Sequence, residues 1–175
     1  MRVFGIILVV TATLFSTPKD YLLVSTKQFT VQGTTSFGGF ECNYDMKTKD
    51  TLFFNQNEKN TKITQIIPVR NFGCGNFILN GDFRKTLKEK EFPNVKIDLM
   101  NFKREKENYS CDLTLNLVGK QKLFKNLPLK FEKNQLNGMV SINFSEFNLV
   151  PPKKIGGMIT VKEEIKLRIT LMTEQ

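Results

Sequence analysis

Histidine is absent from all 175 residues, and so is tryptophan. Without an imidazole there is no histidine general base, no Ser-His or Cys-His nucleophile system and no ordinary mononuclear zinc site. The chain also lacks a G-x-S-x-G elbow, a phosphate loop and a dinucleotide fingerprint, so nothing points to a cofactor. Glu163 and Glu164, as neighbours on a strand, face opposite ways and make a poor acid/base pair. Glu89 and Glu91, beside Lys88 and Lys90, read as a solvated helix end. An enzyme would have to work with carboxylates, lysines and tyrosines alone, and the chain reads as a non-enzymatic protein.

Cysteine is scarce: Cys42, Cys74 and Cys111 are the only three, and no C-x-x-C spacing supports a metal site. The compartment depends on the N-terminus. Met1-Arg2, the apolar run Val3–Phe15 and then Ser16-Thr17-Pro18 fit a secretory signal over residues 1–17, too short for a comfortable transmembrane helix. No A-x-A precedes the expected cut, and no cysteine lies there to carry a lipid. The alternative is a first core strand or helix. An exported chain, periplasmic or secreted, tends to pair two of its cysteines. Cys111 shares the odd register of Leu113, Leu115 and Leu117 and belongs in the core, which makes Cys42–Cys74 the preferred bridge. If there is no signal, three reduced core cysteines are expected.

What is abundant is phenylalanine: sixteen, against three tyrosines. This is an apolar aromatic set, suited to a core or to a cavity for something greasy. The formal charge is +9 and the pI about 9.5, which favours an anionic partner or surface. The lysines are dispersed, however, and over Lys162–Ile169 they alternate with aliphatic residues, as on a strand with one solvated face. No basic stripe with interleaved aromatics suggests nucleic acid.

Along the chain, alternation predicts strands over Tyr21–Thr34, Phe37–Tyr44, Thr61–Val69, Val95–Leu99, Tyr109–Val118, Gln121–Glu132, Leu136–Phe147 and Ile159–Leu171. Gly119-Lys120 reads as a hairpin turn, Asp45–Asn60 as a loop interrupted by Leu52-Phe53-Phe54, and Asn101–Asn108 as a charged turn. One helix is expected after Asn80-Gly81, with Asp82 as its N-cap, Phe83 and Leu87 on one side, and Phe92-Pro93 as its stop. That helix must lie over an apolar opening or sheet edge, as a lid or plug. Residues 18–175 form one domain with about eight antiparallel strands, either a barrel that can enclose a small apolar ligand or a sandwich that fills its own interior.

Four stretches resemble the YceI-like family of exported, lipocalin-like barrels implicated in binding polyisoprenoid or related lipids. These are Gly33-Thr34-Thr35-Ser36 leading into Phe37–Tyr44, Asp82-Phe83 through Leu87 to Glu91-Phe92-Pro93, Leu113-Thr114-Leu115 to Gly119-Lys120, and Ser145-Glu146-Phe147 before the final strand. The family's histidines near the opening strands are missing, and with them any headgroup contact of that kind. The segments FECNY and FGCGN look like a branch of the family and agree with the Cys42–Cys74 pairing.

The resemblance implies an up-and-down barrel of about eight strands, with one short helix covering an end and an interior that accepts a long isoprenoid or acyl chain. Burial of apolar surface, at roughly 25 cal/mol per Å², would hold such a chain without directional bonds. The candidate lining is Phe29, Phe37, Phe40, Ile63, Ile67, Phe83, Leu87, Leu113, Leu115, Leu117, Ile142, Phe144 and Phe147, each of which could equally be ordinary core. The alternative to a lipid carrier is an exported adaptor barrel whose basic surface meets a membrane or a partner protein.

Overall fold

The computed structural model describes residues 21–54 and 61–174. The signal-peptide reading of residues 1–17 lies outside them. Eight strands form one antiparallel sheet: β1 (Tyr21–Thr35), β2 (Gly38–Phe53), β3 (Ile63–Pro68), β4 (Asn94–Glu105), β5 (Asn108–Leu117), β6 (Lys120–Glu132), β7 (Gln135–Asn143) and β10 (Glu164–Glu174). Their order, β2-β1-β10-β7-β6-β5-β4-β3, puts each strand beside its neighbour in this series and brings the last strand back to the first. The result is a nearly closed up-and-down barrel, as expected. The short strands β8 (Lys153–Lys154) and β9 (Ile159–Thr160) pair in a separate small ribbon, and the one α-helix among the described residues, α1, spans Phe77–Thr86.

The seam between β2 and β3 is where the ladder stops, and it is fastened just past β3. Asn43 and Gly73 exchange two backbone hydrogen bonds of 2.9 Å, and the adjacent Cys42 and Cys74 form a disulfide. Alternation selects the inward face as predicted: Val95, Ile97 and Leu99 on β4, Leu113, Leu115 and Leu117 on β5, and Ile165, Leu167 and Ile169 on β10 are all buried. Gly119 and Gly138 are among the glycines that space or backbone requires. Gly119 has φ +71° with the Phe92 ring 3.0 Å from where a Cβ would lie, and a Cβ on Gly138 would stand 2.7 Å from Leu129.

Several boundaries differ from the sequence reading. The expected loop from Asp45 is strand as far as Phe53. Its inward positions include Thr48 and Asp50, and this polar content hides the alternation; Asp50 is there to meet Lys27. The expected turn at Asn101–Asn108 is mostly strand as well. β4 runs to Glu105 with a register shift between Met100 and Lys103, and β5 shifts against β6 between Cys111 and Leu113. Asp112 spans both irregularities, accepting from the Asn101 side chain and from the Asn126 backbone N–H, each at 2.8 Å.

The helix begins earlier than read. Its N-cap is Asn76, which accepts from the Leu79 N–H at 2.9 Å, so Asp82 lies inside the helix instead of capping it. The strand predicted to Phe147 ends at Asn143 in a 3-10 turn, Phe144–Phe147, closed by a reciprocal Asn143–Glu146 cap. The strand predicted from Ile159 is interrupted: Ile159–Thr160 belongs to the small ribbon, and the barrel strand starts at Glu164.

Candidate functional site

Beneath α1 the barrel is not full. An outer cavity of about 90 Å³ opens between α1, the β1–β2 turn and the β8–β9 ribbon, lined by Val31, Phe40, Cys42, Leu79, Phe83, Leu87, Phe144, Pro152, Ile159, Val161 and Ile165. An inner cavity of about 40 Å³ shares Val31, Phe83, Leu87 and Ile165 with it and continues to Phe72, Val95, Ile97, Leu115, Leu117, Ile142 and Leu167. At 10–15 Å³ per water-sized group, the outer space takes roughly six to nine such groups. A longer apolar chain needs Phe83 and Leu87 to shift and join the two spaces.

The void ends at a definite depth. Phe29, Leu99, Leu113, Val140 and Ile169 each sit one inward position beyond a lining residue, are buried, and line neither cavity. They form the floor, and the barrel is packed beyond it. No side chain of α1 is fully buried: Leu79 and Phe83 pack in part against the core and in part border the outer cavity.

The sequence-predicted residues divide accordingly. Phe40, Phe83, Leu87 and Phe144 line the outer cavity, and Leu115, Leu117 and Ile142 line the inner one with Phe83 and Leu87. Phe29, Ile63, Ile67, Leu113 and Phe147 are buried in the core outside the cavities. Phe37 is on the β1–β2 turn, 76% exposed, because the strand ends before it and its side chain points away from the barrel. The sequence list omitted Val31, Val95, Ile97, Ile165 and Leu167, although their alternation marked them as inward. Leu79 and Ile159 were missed because the helix start and the ribbon were misread.

The polar residues that line the outer cavity are Thr35, Asp82, Thr86 and Lys154. Lys154 Nζ on β8 lies 2.5 Å from Asp82 Oδ1 on α1, an ion pair that ties the lid to the ribbon across the opening. The ribbon is in turn held to the β1–β2 turn: the Ser36 N–H donates to Thr160 O at 3.1 Å and Ser36 Oγ to Met158 O at 3.0 Å. The disulfide holds the lid's other approach. Cys42 is part of the cavity wall, and the Cys74 N–H donates to Asn80 Oδ1 of α1 at 2.7 Å. Cys111, the free cysteine, is buried in the core, where desolvation first and the Asp112 charge second push its thiol up to about 12. A larger concavity of about 890 Å³ on the outside is lined by charged residues such as Lys103, Glu105, Lys130 and Glu132 and is an open surface groove.

No family model and no curated protein matches this sequence. Solved structures do. A polyisoprenoid-binding domain from Saccharophagus degradans, implicated in plant cell wall breakdown, matches with TM-score 0.55 at 10% identity, over 89% of this chain and 98% of that one. BcnA of Burkholderia cenocepacia matches with TM-score 0.51 at 14% identity, over 82% and 94%. The chain has the YceI-like fold. A Campylobacter jejuni YceI protein is also similar, at 15% identity and TM-score 0.49 over 98% and 91%. In this YceI-like barrel, the helix that covers the opening is the one between β3 and β4, and the hollow beneath it is an apolar site.

Proposed function

We propose that this protein binds the apolar chain of an isoprenoid or acyl lipid in the cavity beneath α1, as an exported carrier without a chemical step of its own. The observation that carries the reading is the hollow itself. One half of the barrel is packed and the other is lined almost wholly by apolar side chains, under a helix with no buried residue. Space of that chemistry is stabilised by filling it with hydrocarbon. The fold neighbour described as a polyisoprenoid-binding domain supports the ligand class. The Cys42–Cys74 disulfide supports an oxidising, exported location.

The test is to express residues 18–175 in an exporting host, extract the purified protein with organic solvent, and identify released lipid by mass spectrometry. The expected result is a stoichiometric isoprenoid or acyl species, lost when Leu115 in the inner wall is replaced by Phe. A stable protein that carries no lipid and takes none up would overturn the reading.

A further inference from the structure

The most exposed large apolar side chains of the described residues are not scattered. Phe77 (83%), Phe37 (76%), Val150 (76%) and Met158 (66%) head the range, and all four lie on the three elements that frame the cavity mouth. Phe37 is at the tip of the β1–β2 turn and Met158 is in the ribbon that this turn hydrogen-bonds to; Val150 leads into the same ribbon, and Phe77 opens α1. Exposed apolar residues elsewhere, such as Ile66, Leu123 and Met139 on the barrel's outer face, are less exposed. Isolated ones are normal on any surface; a ring of them around an opening is not.

The charges between them have one dominant sign. The ribbon segment 148–162 holds three lysines, Lys153, Lys154 and Lys162, and no acid. On α1 Asp82 is already paired with Lys154, and the Glu163 carboxylate beside Lys162 accepts from the Ser145 N–H. Arg84 and Lys85 line a separate surface hollow of α1, where Arg84 donates to Arg70 O. From this arrangement we infer that the mouth end is a docking surface for an anionic lipid bilayer. The apolar tips enter the interfacial region, the lysines of the ribbon segment meet headgroups, and the cavity opens directly against the lipid. The proposal rests on the carrier reading only for what passes through the mouth. A second copy of this chain is a poorer occupant, since it would press together two faces of like charge on molecules of net charge +9.

Vesicle co-sedimentation of residues 18–175 tests it, with phosphatidylcholine vesicles compared with vesicles that also contain phosphatidylglycerol. Binding is expected to the anionic vesicles, to weaken in high salt, and to fall roughly tenfold or more in a Phe37→Ser, Phe77→Ser, Met158→Ser variant. An Ile66→Ser, Leu123→Ser, Met139→Ser control should bind like the parent. All six positions are exposed, and matching unfolding midpoints establish that both variants fold.

Absence of vesicle binding, equal binding by parent and mouth variant, or equal loss in the control would overturn the proposal. So would light scattering that shows a dimer abolished by the mouth substitutions. Solvent extraction separates the two ideas. Vesicle binding by a protein that holds no lipid would sink the carrier and leave the docking surface, whereas lipid held by a protein indifferent to vesicles would do the reverse.

Discussion

Lys27 points into the barrel beside Leu171 and is only 4% exposed, and its charge is balanced by Asp50 Oδ2 at 3.0 Å. Burial acts to raise the Asp50 carboxyl, but the Thr48 hydrogen bond and the hydrogen bond and charge of Lys27 outweigh it and hold it below the usual range. The two partners are not equally enclosed, since the Asp50 side chain keeps about a third of its surface. Removing the acid should therefore hurt more than removing the base. Asp50→Asn leaves a buried ammonium without a counter-charge and is expected to cost about 3 kcal/mol, whereas Lys27→Met keeps the volume, leaves Asp50 its water and Thr48, and should be close to neutral. Urea unfolding of both variants checks this; equal losses would mean that packing and not charge governs the site. The pair also explains why β2 was read too short. An inward Asp and Thr look like loop chemistry unless the lysine that answers them, on another strand, is known.

At the scale of elements, α1 is the part whose stability bears on the site. Gly81 is helical and exposed, and a Cβ there would meet nothing within 4 Å, so Gly81→Ala should stabilise the helix by about 1 kcal/mol. Asn76→Ala, which deletes the cap to the Leu79 N–H, should cost about the same. Hydrogen exchange at the Phe83 and Leu87 amides is expected to slow about fivefold in the first variant and to quicken by a similar factor in the second. Unchanged exchange in both would show that the lid opens only with the whole barrel. The existence of this helix and its contact face, Phe83 and Leu87, were legible from spacing and from the Phe92-Pro93 stop. Its start was not, because Asn80-Gly81-Asp82 has turn composition yet sits within the helix, while Asn76 was the residue that capped it. The β8–β9 ribbon was illegible for a different reason: its two-residue strands are too short to show a period, and they are placed by the bonds from Ser36.

For the molecule as a whole, strand alternation was enough to give the barrel and to say which residues face inward, but not how deep each one lies. Val31 and Phe29 share a face; only the first borders the hollow. Depth is set by how neighbouring strands are staggered, and the register shifts at β1, β5 and β6 leave no trace in the period. Stability against pH is a property of this scale too. Asp50, Asp98, Asp112 and Glu146 are all held below the usual carboxylate range in the fold. For Asp98, burial opposes the shift and is outweighed by Thr64 and the lysines Lys96 and Lys62; Asp112 is lowered first by Asn101, and Glu146 first by Lys122. In the unfolded chain such groups titrate near pH ~4. Between the folded and unfolded values the unfolded state binds more protons, so their contribution is complete above about pH 4 and is lost as the pH falls through the folded values. The chain has no histidine, and in the fold burial pushes the Cys111 thiol up to about 12, so neither an imidazole nor this thiol changes the charge of the folded state between about pH 5 and about pH 8. The urea midpoint should be flat across that window and drop steeply below it, and a slope between pH ~6 and pH ~8 would contradict the account. Repeating the acid limb in high salt divides its cause: repulsion among the excess cations is screened and that part of the loss recovers, whereas the part due to protonating hydrogen-bonded carboxylates persists.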